Sequence, residues 1–185
     1  MLPLAFKLKD KPVLVIGAGR IGTGKAKLLI DAGARVTILA RELLSPLPDG
    51  AHAIDVRDYE HGDLRGFALV VAATGDPDVN DAIVGEANEL GLWLNVVDDP
   101  ARSDFYFTAV HRDGEVVVSV STEGASPALA QEIRSLIRRQ LPTHLADVAR
   151  QLRHERATLH ESGESTEDVD WKPRIRELLA PRTTR

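Results

Sequence analysis

The sequence predicts an α/β protein in which a doubly wound parallel sheet is followed by a β-hairpin and helices. Three observations predict it. Short apolar runs rich in β-branched residues alternate with helix-period segments over roughly the first 110 residues. A glycine-rich turn joins the first such run to the first helix. After Phe105 the alternation gives way to two strand-like runs around a turn, and then to helical stretches. A length of 185 residues suits one compact domain, or one with a smaller appendage. The expected divisions are 1–112, 113–143 and 144–185.

Residues 12–17, PVLVIG, read as a buried parallel strand. In IGTGKAKLLIDAG, Ala26, Leu29 and Ile30 recur at helical spacing, and Gly33 supplies the stop. ARVTILA (34–40) is the next strand, which completes a βαβ unit. Pro46, Pro48 and Gly50 make 41–50 a loop, with a third strand expected near 51–56. FALVVAAT (67–74) is the strongest strand; a helix near 79–90 follows and ends before Gly91, then LWLNVVD (92–98) is a further buried strand. FYFTAVHRDGEVVVSVS reads as a hairpin turning at Arg112-Asp113-Gly114. Ser126-Pro127 is an N-cap with proline at the first helical position, opening a helix to about Gln140 that Pro142 stops. A helix over about 143–160, the polar linker ESGESTEDVD and a short helix after Pro173 complete the chain.

Composition narrows the function classes. Hydrophobic residues at 43% and charged ones at 28% are ordinary for a globular protein with a real core; aromatics at 4% leave Val, Leu, Ile and Ala to fill it. The absence of cysteine excludes disulfides, thiolate zinc sites and a cysteine nucleophile. The histidines show no metal-ligand spacing, so no metal site is predicted. A net charge of −5 argues against a nucleic-acid partner. Lys7, Lys9, Asp10 and Lys11 stand where a signal peptide needs its apolar stretch, and no apolar run approaches a membrane span. The expectation is no membrane partner and a cytoplasmic location.

Gly17-Ala-Gly19-Arg-Ile-Gly22 matches G-x-G-x-x-G in its confirming context, after a strand and before a helix. Gly17 permits the tight turn, Gly19 lets a pyrophosphate approach the backbone, and Gly22 lets the helix pack close. Amides at the helix start, including those of Arg20 and Ile21, face the phosphates. An NAD site often has an acid at the end of the second strand, where this chain reads Ala40-Arg41-Glu42. Arg41 suits the 2′-phosphate of NADP, or else is a solvated surface arginine. Thr74, Gly75 and Asp76 follow the strongest strand and line the cofactor cleft, or form an Asx-type turn. Asn80 is expected to cap the next helix, and Asn95, inside a strand, needs a partner for its amide.

Three further segments are Ala72-Ala-Thr-Gly-Asp-Pro-Asp-Val-Asn80, Asn95-Val-Val-Asp-Asp-Pro100 and Ser121-Thr-Glu-Gly-Ala-Ser-Pro127. In this order after the glycine turn, they resemble the precorrin-2 dehydrogenase / sirohydrochlorin ferrochelatase family, which includes the N-terminal part of sirohaem synthase. The resemblance covers about residues 3–150. It implies oxidation of precorrin-2 to sirohydrochlorin with NAD⁺, and in some members Fe²⁺ insertion. It also implies a homodimer: a Rossmann domain, a β-hairpin/helix dimerisation region and a small C-terminal helical domain. The family's key aspartate falls on Asp98, at the carboxyl end of a buried strand, where a carboxylate can take a proton while hydride leaves to the nicotinamide, or else caps a helix or loop. The same group would strip pyrrole N–H protons during metal insertion. Asp99 is expected to be solvated.

Ser121, Thr122, Gly124 and Ser126 are the expected contacts for substrate carboxylates at a helix start. His144 is a substrate-contact and proton-transfer candidate, with a purely structural role as the alternative. Arg134, Arg138 and Arg139 either pair with carboxylates or form a solvated face. One departure from relatives is Thr23-Gly24 ahead of Lys25-Ala26: Gly24 costs its helix about 1 kcal/mol, unless a small residue there admits the cofactor or another helix. The alternative to an enzyme is a module that binds NAD(H) or a tetrapyrrole without turnover, since fold alone does not dictate function.

Overall fold

The computed structural model describes residues 1–180. They form two compact units, Met1–Tyr106 and a second beginning at Phe107. The break comes ahead of the expected 112 because Arg112 and Asp113 are paired residues of a hairpin strand, whose ladder holds them to the second unit. Residues 181–185, part of the expected 144–185 domain, lie outside the described residues.

The first unit runs β1 (Pro12–Ile16), α1 (Arg20–Asp31), β2 (Arg35–Ala40), β3 (Ala53–Val56), β4 (Leu69–Ala72), α2 (Pro77–Leu90) and β5 (Trp93–Val96). The five strands form one parallel sheet in the order β3-β2-β1-β4-β5. The chain builds outward from β1 to β3, then crosses back to add β4 and β5. The direction of winding therefore reverses between β1 and β4, the switch point where open α/β sheets bind ligands. Register places Ile16 beside both Leu39 and Ala72, so the carboxyl ends of the three central strands are level.

The pleat explains the two helical layers. Leu14 and Ile16 of β1 join Val70 and Ala72 of β4, Leu94 and Val96 of β5, and Ile83 and Ala87 of α2 in one buried cluster. Val13 and Val15 point the opposite way, to the face where α1 packs and buries Ala26 and Leu29. Each such aliphatic side chain contributes roughly 1.5–3 kcal/mol on burial. Gly33 ends α1 in a Schellman arrangement: its own N–H reaches Ile30 O (2.8 Å), and that of Ala34 reaches Leu29 O (3.1 Å).

Three expected boundaries shift. Helix α2 starts at Pro77, because Asp76 caps it by accepting from Asp78 N (3.1 Å) and Val79 N (3.3 Å). Asn80 is therefore inside the helix and is not its cap. β4 stops at Ala72 and β5 at Val96, short of the apolar runs that announced them. Val97 N still reaches Ala72 O (2.9 Å), but Asp98 then takes a left-handed φ of 62°, and Pro100 has no N–H to carry a ladder on.

A short 3₁₀ turn, Pro100–Arg102, reverses the chain along the outer side of β5. There Leu94 O accepts from Asp104 N (2.8 Å), and Leu94 N donates to Asp104 Oδ2 (2.9 Å). Val96 N donates to Ser103 Oγ (3.0 Å). Asn95, on the alternate side, is buried and donates to Phe105 O (2.9 Å), which supplies the partner its amide needs.

In the second unit β6 (Ala109–Asp113) and β7 (Val116–Val120) pair antiparallel. Their turn is Gly114-Glu115, one residue later than expected, with positive φ at Gly114 as a glycine-first hairpin requires. α3 (Pro127–Gln140) packs on both strands, with Ser126 Oγ capping it through Leu129 N (3.2 Å). α4 (Leu145–Glu161) and α5 (Lys172–Leu179) follow. Pro173 lies in the first turn of α5 rather than ahead of it. The acidic linker is anchored, since Thr166 is buried and its carbonyl accepts from Trp171 Nε1 (3.3 Å). Among the described residues no helix is long and apolar enough to cross a membrane.

Candidate functional site

The glycine turn sits at the carboxyl end of β1, on the switch point. Gly17 takes a φ of 109°, and a β-carbon there would overlap the carbonyl of Ala73, just past β4. A β-carbon at Gly22 would overlap the Gly17 carbonyl and touch Ala73 Cβ at 3.4 Å. These two glycines therefore let turn, helix and neighbouring strand close on one another. Gly19 differs: it is the N-cap of α1, no side chain caps that helix, and nothing lies within 4 Å of its missing β-carbon. The first helical bond runs from Thr23 N to Gly19 O (3.0 Å), so the amides of Arg20, Ile21 and Gly22 have no partner inside the helix. No acidic residue occupies the first turn. That end is a positive, uncapped pole facing open space.

A cleft of about 680 Å³, counting its open mouth, spreads from this turn. One wall is Gly17, Ala18 and Gly19; others are Arg41, Glu42 and Leu44 after β2, and Thr74, Asp76 and Val79 after β4. A wall the sequence did not announce comes from Arg57, Asp58 and Tyr59 after β3. Of the expected cofactor residues, Gly17, Gly19, Arg41, Thr74 and Asp76 line this cleft, whereas Arg20, Ile21, Gly22 and Gly75 are outside its lining. Thr74 Oγ donates to Asn80 Oδ1 (2.8 Å) and accepts from Asp76 N (3.0 Å), so one hydroxyl braces the loop between β4 and α2.

The loop after β3 is held by carboxylates. Arg57 makes a bidentate pair with Asp63 (2.7 and 2.8 Å), which raises the guanidinium's pKa and lowers that of Asp63. Tyr59 donates its phenol to Glu86 Oε2 (2.5 Å) on α2. The same carboxylate accepts from Gly62 N (2.9 Å) and Leu64 N (3.1 Å). Burial would push Glu86 upward, but these donors outweigh it and its carboxyl lies below its ordinary value. Burial, and then the bond to Glu86, push the Tyr59 phenol well up.

Asp98 lies two residues past β5, exposed and outside the cleft lining, in the left-handed conformation that asparagine and aspartate tolerate best among side-chain-bearing residues. Lys25 of α1 is half-buried; desolvation lowers its pKa, and the charge of Asp98 opposes that shift. The charge of Asp98 is thus felt at Lys25. Asp99 is not simply solvated: it accepts from Arg102 N (3.2 Å) and Arg102 Nε (2.5 Å), and the arginine holds its carboxyl below the usual range. Arg102 also bonds Asp81 of α2.

The remaining candidates belong to the second unit. Thr122 Oγ1 donates to Ser126 O (3.0 Å) and accepts from Ser126 N (3.2 Å). Ser121 Oγ accepts from Glu123 N (3.1 Å), and Glu123 and Gly124 both take positive φ. The segment is a tight, self-bonded turn that delivers the start of α3. His144 Nε2 contacts Leu178 O (3.0 Å), tying α4 to α5. Arg138 and Arg139 are exposed. Arg134 is half-buried, bonds Gln131 Oε1 (2.7 Å), and its buried Nε has no protein partner. Among the described residues no three His, Asp or Glu side chains converge as metal ligands.

Lys25, Tyr59 and Glu86 were not expected in these roles. Only Glu86 left a trace: a charge on the apolar stripe of Val79, Ile83, Ala87 and Leu90, at a position that reads as core.

A siroheme synthase of Ectopseudomonas mendocina is 43% identical over 150 residues, which is 80% of this chain and 32% of that protein. One from Methylococcus capsulatus is 40% identical over 153 residues, again 80% and 32%. One from Tolumonas auensis is 34% identical over 186 residues, 100% of this chain and 36% of that protein. The chain thus spans about a third of the length of these curated relatives. Among solved structures, "SirC, precorrin-2 dehydrogenase" superposes with a TM-score of 0.70 at 24% identity, covering 97% of this chain and 87% of that one, which shows a shared fold. Residues 4–109 match the family model described as "Putative NAD(P)-binding". That match takes in the whole parallel sheet and more than half of the chain, and the protein belongs to this family.

Proposed function

We propose that the chain binds NAD⁺ along the carboxyl edge of its sheet and oxidises precorrin-2 to sirohydrochlorin. One observation carries the reading. An uncapped, glycine-started helix and, past β5, the carboxylate of Asp98 lie on the same edge of one doubly wound sheet. The residues fit a dinucleotide: Gly19 leaves its side open and the amides of Arg20, Ile21 and Gly22 are unspent, so they would hold the pyrophosphate. Thr74 and Asp76 line the cleft on its other side, with Gly75 between them. Arg41, where an acid is common, keeps NADP⁺ as the alternative coenzyme.

The bound nicotinamide supplies the hydride acceptor. Asp98 accepts the proton that leaves the substrate as hydride departs, and the Lys25 ammonium balances the charge of that carboxylate. Ser121, Thr122, Gly124 and Ser126 present the start of α3 to substrate carboxylates, and His144, whose Nε2 donates to Leu178 O, keeps Nδ1 as an acceptor for a substrate proton. In a second step the same Asp98 would accept pyrrole protons as Fe²⁺, a substrate, enters the ring. Residues 113–143 would pair two copies as a homodimer through apolar side chains such as Val117, Leu129 and Leu136, which are exposed in the single chain. The setting is the cytoplasm.

The test follows the sirohydrochlorin spectrum with pure protein, precorrin-2 and NAD⁺ or NADP⁺. Turnover is expected, with Asp98→Asn slowed by at least about 100-fold, the order set by loss of a general base. Association with NAD⁺ but no turnover would leave only a sensing module. Adding Fe²⁺ or Co²⁺ to sirohydrochlorin tests insertion, and light scattering tests the dimer.

A further inference from the structure

Resting on the dinucleotide reading above, we infer that Glu86 and Tyr59 position the wall of the cleft that receives the non-reacting, adenosine half of the coenzyme. The direction of the ligand follows from the sheet. The pyrophosphate belongs at the glycine turn on β1, and the reacting ring must lie toward Asp98, beyond β4 and β5. The other half therefore extends the opposite way, over the ends of β2 and β3. There the cleft is walled by Arg41, Glu42, Arg57, Asp58 and Tyr59.

The segment carrying the last three of those residues has no regular structure beyond β3 to hold it. Leu64 anchors it in the core, and its polar anchors are carboxylates. Glu86 reaches across from α2, is only 2% exposed, and takes three hydrogen bonds from this one segment: the Tyr59 phenol, Gly62 N and Leu64 N. Asp63 pairs with Arg57 and accepts from Glu60 N (2.8 Å), which folds the segment on itself. A carboxylate on the apolar stripe of a helix is costly unless its oxygens are satisfied, and here all three hydrogen-bond donors come from the segment that carries Tyr59. Tyr59 is the link: it lines the cleft, packs against the core cluster and ends its hydroxyl on Glu86.

Tyr59→Phe removes one hydroxyl and keeps the ring, the helix and the amide bonds to Glu86. It tests the inference even if a harsher variant such as Glu86→Leu fails to fold. Binding of NAD⁺, ADP and nicotinamide mononucleotide is measured by calorimetry on the full chain. Hydrogen exchange at Gly62 and Leu64 is followed alongside. Tyr59→Phe should weaken NAD⁺ and ADP by the same factor, about five- to tenfold, and leave nicotinamide mononucleotide unchanged. kcat at saturating NAD⁺ should hold while KM for NAD⁺ rises. Glu86→Gln, which keeps an accepting oxygen, should lie between wild type and Tyr59→Phe in exchange and affinity. Ile83→Val, from the same helix and core, controls for lost stability and should leave all three ligands unaffected. If Tyr59→Phe lowers melting temperature or exchange protection but leaves NAD⁺ and ADP affinity at wild-type values, the pair is merely structural and the inference is overturned. Wild type failing to bind NAD⁺ or ADP removes the underlying dinucleotide reading as well, and that is visible before any variant is made.

Discussion

A β-carbon added to Gly22 would overlap the carbonyl oxygen of Gly17, leaving no room for even one methyl group between helix and turn. The obstacle is backbone on both sides, so neither partner can swing away. Gly22→Ala is therefore expected to cost about 1–3 kcal/mol of stability, as overpacking does, and to weaken NAD⁺ binding by shifting the start of α1. Chemical denaturation and coenzyme titration check this; a variant with wild-type values in both would show that the turn relaxes freely.

Two residues on, the opposite holds. Gly24 is in the helix interior, exposed, with ordinary helical φ and nothing within 4 Å of its missing β-carbon. Gly24→Ala should stabilise the protein by about 0.5–1 kcal/mol through helix propensity and reduced freedom of the unfolded chain. If the small residue serves instead to admit the coenzyme, titration will show weaker NAD⁺ binding despite the higher melting temperature.

Lys25 carries a charge that burial disfavours and Asp98 favours. Lys25→Met keeps the aliphatic stem and removes the charge. Stability should change by less than about 1 kcal/mol, because a desolvated cation is lost along with its attraction. Turnover of precorrin-2 should fall by about tenfold, with KM for NAD⁺ unaltered, because only the surroundings of Asp98 change. Steady-state kinetics separates the two parameters, and a rise in KM alone would place Lys25 at the coenzyme instead.

Acid should open the wall after β3 before it unfolds the sheet. The Arg57 partner holds Asp63 below the usual carboxylate range. For Glu86, burial pulls upward but the Tyr59, Gly62 and Leu64 donors prevail. Both folded-state values lie below the unfolded ones. Their contribution is thus present in full above about pH 4–5 and lost as pH falls through the depressed values. Hydrogen exchange at Gly62 and Leu64, corrected for intrinsic rates, should be flat from neutrality to about pH 5 and rise below about pH 4. Asp63→Asn should remove part of that acid dependence. Protection that falls already near pH 6 would show that neither Asp63 nor Glu86 governs the opening.

Much of this was legible in the residues, for identifiable reasons. Buried parallel strands are almost continuously apolar, so PVLVIG and FALVVAAT declared themselves, and the glycine turn between strand and helix located the switch point. Strand ends were harder, because the apolar run outlasts the ladder: Ala73 and Val97 read as strand but lead turns. The Asp76-Pro77 start of α2 obeys the same logic as Ser126-Pro127, a polar cap followed by proline, and only competition from Asn80 obscured it. Asp98 was visible as a carboxylate past a strand, but its left-handed backbone and its electrostatic influence on Lys25 are facts of the folded chain that no local pattern encodes. The same is true of Tyr59 and Glu86, which are 27 residues apart.

The Ser103 and Asp104 contacts give the sheet a sealed flank and an open one. On β5 every outward backbone group of Leu94 and Val96 is consumed by the returning chain, so no additional strand can be templated there. On the far side β3 leaves Ile54 and Val56 largely uncovered and its outer rim unpaired within the sheet. Any growth of this sheet, by a grafted segment or by misassociation at high concentration, has a single direction in which to proceed.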